Sequence, residues 1–511
     1  MTSYLPMNSI PELLLRGKGA AGAIGSTDDV PPLAYRELRE LMERTVSRLN
    51  SMGIGRGDRV AIVLHNGPEM AAAFACVAAG AATAPLNPGY RPQEFEFYLS
   101  DLKPKAIILE PGPSPARDAA QKLGVPVIEL HAQREQGAGT FTLESAMSGK
   151  PQRRGLAAAD DVALLLHTSG TTSSRPKLVP LLQRNVTASA RHMVETLQLQ
   201  PGDLCLNIMP LFHIHGLMAA TLASLAAGAH VCCSPGFNML RFYTWLEDVK
   251  PTWLTAVPTM HQAILDRVPR HRDIVSQNRL RLIRSSSAPL PARVMIELEE
   301  AFDAPVIEAY GMTEAAHQMA SNPLPPKARK PGSVGAAAGP KIGILGEDGK
   351  FLRRGESGEV VIRGPNVTPG YENNPEANQS AFVDGWFRTG DQGRLDEDGY
   401  LHLTGRLKEL INRGGEKFSP LEIDQVLMEH PAVLQCLAFA LPHEKLGEEP
   451  AAAVVLRDGH SATERELHDF AHARLSGYKV PRKIVIVKEI PKGPTGKLQR
   501  IGLAKRLGLL E

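Results

Sequence analysis

The sequence predicts an α/β protein with a large N-terminal domain of layered α/β sheets, a β-barrel-like subdomain, and a small mobile α+β C-terminal domain. Three observations carry this reading. The 511 residues exceed what one ordinary core organises. Over the first two thirds, short apolar runs without polar alternation are interleaved with helical stretches, the pattern of strands buried on both faces. From Gly335 onward the strands become shorter and more polar, with Gly/Pro turns, as in antiparallel sheet.

The elements follow in order. "IPELLL" is helix-like, "DRVAIVLHN" reads as a strand, "GPEMAAAFACVAAG" as a helix and "AATAPLN" as a strand. The rhythm continues through "KAIILE", "PVIEL", "DVALLLHTS" and "DLCLNIMP", then the helix-like "LMAATLASLAAG" and the strands "HVCCSP", "TWLTAVP" and "LRLIRSSSA". Layered helices on mostly parallel sheet follow from that alternation. "GESGEVVIRGPNVTPGY" opens the antiparallel part. The tail holds the helices "SPLEIDQVLMEHP" and "ERELHDFAHARLSG" around the strands "VLQCLAFALP" and "EPAAAVVLRDG". The expected division is 1–407 and 408–511.

Composition narrows the function classes. Basic and acidic residues number 57 and 55, a formal charge of +2, so no global field draws the chain to nucleic acid or membrane. No apolar run reaches the roughly 18 residues of a membrane span. Five cysteines (Cys76, Cys205, Cys232, Cys233, Cys436) form neither a CxxC nor a regular framework, which suits buried thiols in a reducing compartment. The opening "MTSYLPMNSIPELLLRGKG" lacks a basic leader before an apolar core, and "LGLLE" matches no peroxisomal or retention tail. The cytoplasm is the expected compartment.

Two loops resemble phosphate cradles. "GKGAAG", Gly17 to Gly22, satisfies GxGxxG but follows a helical run and lies in no βαβ unit, so it reads as a turn. "LLHTSGTTSSRPKLVP" is different: it follows the strand-like "DVALLLH" and precedes the helix-like "LLQRNVTASARHMVETL". Thr168, Ser169, Thr171, Thr172, Ser173 and Ser174 offer hydroxyl and backbone donors, Gly170 allows close backbone approach, and Lys177 adds a point charge. Alone, this loop fits a phosphate site and a solvated turn equally well.

Four further stretches accompany it: "MPLFHIHGL", "EAYGMTEAAH", "GWFRTGDQGRLDEDGYLHLTGRLKELINRGGEK" and "PKGPTGKLQR". In this order, from about Asp58 to Arg500, the motifs resemble the adenylate-forming superfamily of acyl-CoA synthetases, luciferases and peptide-synthetase adenylation domains. The resemblance implies an acid–thiol ligase using ATP, Mg²⁺ and CoA on a small-molecule carboxylic acid. The acid attacks the α-phosphate to give an acyl-adenylate and pyrophosphate, and the thiol then displaces AMP.

Residue roles implied by that resemblance are specific. The loop from Thr168 to Lys177 grips the β- and γ-phosphates. Tyr310 flanks the adenine, with Glu308 and Ala309 beside it; Thr313 touches the α-phosphate and Glu314 holds Mg²⁺. Asp391 accepts from the ribose hydroxyls, with Arg406 nearby. Lys497 bridges the acid and the α-phosphate, Lys408 is the hinge of the small domain, and Gly414 and Gly415 flank the pantetheine channel. Leu178 stands where relatives often carry glycine, so it is expected to stiffen the loop exit.

The acid should be small and polar. The stretches that would line its pocket, "LFHIHG", "RSSSAP" and "TEAAHQM", carry His213, His215, Ser286, Ser287 and His317 instead of the apolar wall of a fatty-acid tunnel. In an extended segment His213 and His215 would point to one side. The stretch "IRSSSA…EAYGMTEAAHQMASNPLPPKARKPGSVG" is similar to the oxalate–CoA ligases of plants and fungi. That similarity implies that His213, Ser287 and His317 bind a second carboxylate, and makes Ser286 a departure from the glycine of many relatives. Ile296 replaces the arginine of malonyl-CoA synthetases, which counts against malonate. Other small, medium-chain or aromatic acids are the alternative. "TWLTAVPTMHQ" lacks the aspartate with which a peptide-synthetase domain would hold an amino group, and a non-catalytic relative would be expected to lose Lys497, Glu314 or Asp391.

Overall fold

A computed structural model describes residues 7–168, 176–492 and 498–510. Two large sheets dominate it. The seven-stranded sheet has five strands in parallel, with Arg59–Val63 flanked by Ala82–Pro85 and Ala106–Leu109. The nine-stranded sheet sets Leu204–Asn207, Trp253–Ala256, Leu282–Ser285 and Val306–Met312 side by side and parallel, then turns antiparallel at His317–Ser321.

Between the sheets lies a layer of helices. Pro68–Ala78 is apolar around its whole circumference, and every residue but Glu69 is buried, because it packs against sheet on both sides. Gln183–Leu197 is beside it. The third member departs from the expected plain helix: His215–Leu222 is a π-helix, continued by one α-turn at Ala223–Ala226. Such wide turns concentrate at functional sites.

The β-barrel-like subdomain is a five-stranded antiparallel sheet in which the long strand Trp386–Leu395 pairs with Gly358–Arg363 and with Leu401–Arg406. A turn, Leu407 to Glu409, with Leu407 and Lys408 exposed, leads to the last sheet. There the two long strands Val433–His443 and Gly447–Leu456 form a ladder under the helices Pro420–Met428 and Glu464–His472. Gly414 and Gly415 make the two-residue turn between Ile411–Arg413 and Glu416–Phe418. Their φ values of 64° and 97° are what a tight hairpin turn with two left-handed residues needs. Among the described residues, no helix is long and apolar enough to cross a membrane, and all five cysteines are buried and free.

Candidate active site

The carboxyl ends of the parallel strands in the nine-stranded sheet converge on one region, the usual place for ligands in open α/β sheets. Thr255 is next to last in one strand, Ser286 and Ser287 follow the next, and the third ends in Tyr310 to Met312 with Thr313 just after it. The antiparallel subdomain approaches from one side and brings Tyr371, Asp391 and Arg406.

On that side the residues assigned to the nucleotide form one connected set. The Tyr310 phenol donates to Asp391, whose other oxygen accepts from Arg406 Nε at 2.9 Å. Burial and the neighbouring carboxylate hold the Tyr310 phenol protonated, while Asp391 raises the Arg406 pKa. Glu314 is buried, which pushes its pKa up; the Tyr371 hydroxyl, donating to Oε1 at 2.8 Å, and the charges of Arg406 and Lys177 oppose that rise. Lys177 Nζ lies 4.4 Å above the Tyr371 ring. Burial lowers the Lys177 pKa, and Glu314 partly restores it against the repulsion of Lys408. Tyr371 therefore organises both charges, and sequence reasoning passed over it. No group of three His, Cys, Asp or Glu side chains is arranged for a metal among the described residues. A lone buried carboxylate suits Mg²⁺, which takes its other ligands from phosphate and water.

Thr168 and Lys177 are directly paired in register across the strands Val162–Thr168 and Lys177–Leu182. The expected loop is thus bracketed by two paired antiparallel strands, and the second of them separates it from the helix Gln183–Leu197. This corrects the placement of the loop directly before a helix: the "KLVPLL" run pairs with its preceding strand instead. Ser169, Gly170, Thr171 and Thr172 lie outside the described residues, as does Lys497. Leu178 is buried among Ala61, Val63, Phe95 and Leu165, and its carbonyl accepts from Glu372 N–H, so it packs in the core.

Glu308 faces away from the acid region. Its Oε1 accepts from Leu290 N–H at 2.9 Å, Oε2 has no partner, and burial pushes its pKa up to about 8. Gly311 is demanded by close approach: a Cβ there would sit 1.8 Å from the His317 carbonyl oxygen.

The side expected to take the acid is polar and mostly buried. His215 is fully buried, with Nε2 2.6 Å from Thr255 Oγ1 and Nδ1 3.0 Å from Ser287 Oγ. Its ring lies 4.9 Å from that of His317. Arg284, also fully buried, donates to Thr255 Oγ1 and His317 Nε2 at 3.4 Å and to Gln318 Oε1 at 3.5 Å. Arg284, Thr255, His215 and Ser287 thus form one connected polar chain, with Thr255 Oγ1 accepting from Arg284 and His215 bridging Thr255 and Ser287 through its two ring nitrogens. Ser287 and His317 hold these positions at φ values of 77° and 94°, strained for residues with side chains.

Two expectations need correction here. His213 and His215 are not on an extended segment; His213 sits in the turn entering the π-helix, and its Nδ1 accepts from the His215 backbone N–H at 3.2 Å. Pro210 and Gly216 set that turn, since a Cβ on Gly216 would lie 2.4 Å from the Pro210 carbonyl. Ser286 does not join the acid cluster: its hydroxyl donates to Ala309 O at 2.9 Å and ties adjacent strands. Arg284, Thr255 and Gln318 are additions to the sequence reading. The signal for Arg284 was available: a lone arginine inside "LRLIRSSSA", a run that reads as fully buried strand.

Comparison with known proteins matches this architecture. The family model "AMP-binding enzyme" covers residues 20–372, and "AMP-binding enzyme C-terminal domain" covers 422–497. The oxalate–CoA ligase of Arabidopsis thaliana is 46% identical over 477 residues, spanning 92% of this chain and 92% of that protein. The oxalate–CoA ligase of Saccharomyces cerevisiae is 40% identical over 476 residues, spanning 88% and 87%. The crystal structure of ATP-bound MatB from Rhodopseudomonas palustris superimposes with a TM-score of 0.87 at 30% identity, covering 98% of this chain and 99% of that one.

Proposed function

Since the chain belongs to the AMP-binding enzyme family and is an acid–CoA ligase, we propose that its acid is oxalate, joined to CoA through an oxalyl-adenylate in the cytoplasm. The observation that carries the choice of acid is the buried cluster of His215, Thr255, Arg284, Ser287 and His317 where a hydrocarbon tail would otherwise lie. The His215 and His317 rings touch, with centroids 4.9 Å apart, so the wall they form is polar. The oxalate–CoA ligases to which the chain is similar support the same reading.

The proposed residue roles are those that membership of the family implies. One carboxylate oxygen of the acid attacks the α-phosphorus of ATP, forming an O–P bond as the bond to pyrophosphate breaks. Tyr310, with Glu308 and Ala309 beside it, flanks the adenine; Asp391 exchanges its Tyr310 and Arg406 contacts in part for the ribose hydroxyls. Thr313 donates to the α-phosphate, and the segment from Thr168 to Lys177 holds the β- and γ-phosphates. Glu314, held by Tyr371, is the carboxylate that would bind Mg²⁺, which when bound neutralises phosphate charge. His213, His215, Ser287 and His317 orient the acid's second carboxylate.

Lys497 adds positive charge at the bond being made. Residues 1–407 form the adenylating domain and 408–511 the domain that turns about Lys408, an exposed residue of the Leu407–Glu409 turn. The turn brings Gly414 and Gly415 to the CoA channel. The CoA sulfur then attacks the acyl carbon, its proton is lost, and AMP leaves with the carboxylate oxygen. The test is a panel of acids with ATP and CoA, read as AMP formed. Oxalate should lead the panel; turnover no better than with butyrate or 4-coumarate would refute oxalate.

A further inference from the structure

Arg284 is a fully buried cation without an anion. It sits mid-sheet, between Thr255 and Ile307 in register, and is among the largest side chains wholly removed from solvent. No carboxylate comes within ion-pair distance of it among the described residues. Its three contacts, at 3.4, 3.4 and 3.5 Å, are long and reach only neutral groups, and its Nε has no acceptor. Burial draws its pKa down to about 9, which leaves it charged at neutral pH. A buried guanidinium so poorly compensated is costly, and an anion arriving from outside would offset that cost. The atoms it touches, Thr255 Oγ1 and His317 Nε2, belong to the cluster that faces the acid.

We propose that Arg284 supplies the charge balance for a second anionic group on the acid, and so selects dianionic over monoanionic substrates. This rests on the acid-pocket reading above. Without that second anion the guanidinium stays unpaired, so a monocarboxylate binds with the penalty uncorrected. With it, the anion completes the array of Arg284, His317 and Ser287. Arg284 is therefore a specificity-determining residue of the acid pocket, separate from the groups that handle phosphate.

The experiment compares wild type, Arg284→Met and Arg284→Lys in three readouts: thermal midpoint without substrates, KM for ATP, and kcat/KM for oxalate, malonate, sulfoacetate and acetate. For the dianion that wild type prefers, Arg284→Met should lower kcat/KM by at least about 100-fold, mostly through KM, as removal of one partner of a buried charge pair does. KM for ATP should stay within about threefold, and the midpoint without substrates should be equal or higher, because an uncompensated charge has gone. Arg284→Lys should fall between. Preference for malonate or sulfoacetate, with this pattern intact, would remove oxalate as substrate and keep the role of Arg284. The role is overturned if Arg284→Met keeps full activity on the dianion. It is equally overturned if the variant melts lower and loses ATP and acid affinity together, or if wild type prefers acetate.

Discussion

Replacing Tyr371 by phenylalanine isolates one hydrogen bond. The ring remains beneath Lys177, so the 4.4 Å cation–ring contact is kept, and only the 2.8 Å donation to Glu314 Oε1 is lost. A hydrogen bond to a buried charged group contributes about 1.5–3 kcal/mol. Burial already raises the Glu314 pKa, and the Tyr371 hydroxyl is the leading side-chain group that opposes it. At about 1.4 kcal/mol per pH unit, losing that bond should move the acidic limb of activity up by about one to two pH units. The sign follows from the chemistry: Glu314 works as the ionised carboxylate, so activity is lost as pH falls through its pKa. At low pH the variant should be far less active than wild type, and the two should converge at alkaline pH. The assay is acid-dependent ATP–pyrophosphate exchange across pH at fixed Mg²⁺, with a Mg²⁺ titration at each end. An acidic limb that does not move, or a deficit constant with pH, would refute the placing of Glu314 as a working carboxylate whose charge Tyr371 maintains.

Two further perturbations read other parts of the site. Glu308→Gln keeps the acceptor for Leu290 N–H and removes a carboxyl whose pKa is pushed up to about 8 from 4.5. The native state therefore holds the proton more tightly than the unfolded chain, and wild-type stability falls as pH rises between those two values. The variant should melt at a higher temperature than wild type at pH 8 to 9, with the advantage vanishing near pH 5; an advantage independent of pH would contradict the burial argument. Gly311→Ala would place a Cβ 1.8 Å from the His317 carbonyl. The strand carrying His317 must then move, so acid kcat/KM should drop by about 100-fold, the scale set by a 1 Å misplacement. Retention of wild-type acid kinetics would show that His317 does not need its present position.

The two kinds of element were unequally legible in the sequence. Runs such as "DRVAIVLHN", "KAIILE" and "DVALLLHTS" became strands within one to three residues at each end, because burial on both faces leaves a continuous apolar signature. The nucleotide motifs were legible as residue types at fixed spacing, and Tyr310, Glu314, Asp391 and Arg406 do come together. Three things were not. The short strand Lys177–Leu182 was read as part of a loop and helix, since its identity depends on pairing with Val162–Thr168 and not on its own pattern. The π-helix at His215 has the same local composition as an α-helix, and the turn before it places His213 and His215 differently from an extended segment. Arg284 and Tyr371 act through neighbours 29 to 57 residues away in sequence, which only the folded sheets bring into contact.

The central claim is that an acid's carboxylate is activated on the α-phosphate of ATP and then handed to CoA. Oxygen tracing tests it most directly. Oxalate labelled with ¹⁸O in its carboxylates, supplied with ATP, Mg²⁺ and CoA, should deliver one labelled oxygen to the phosphate of each AMP formed, alongside oxalyl-CoA. AMP without label would mean that the acid never joined the α-phosphate, and the account of the site would be wrong.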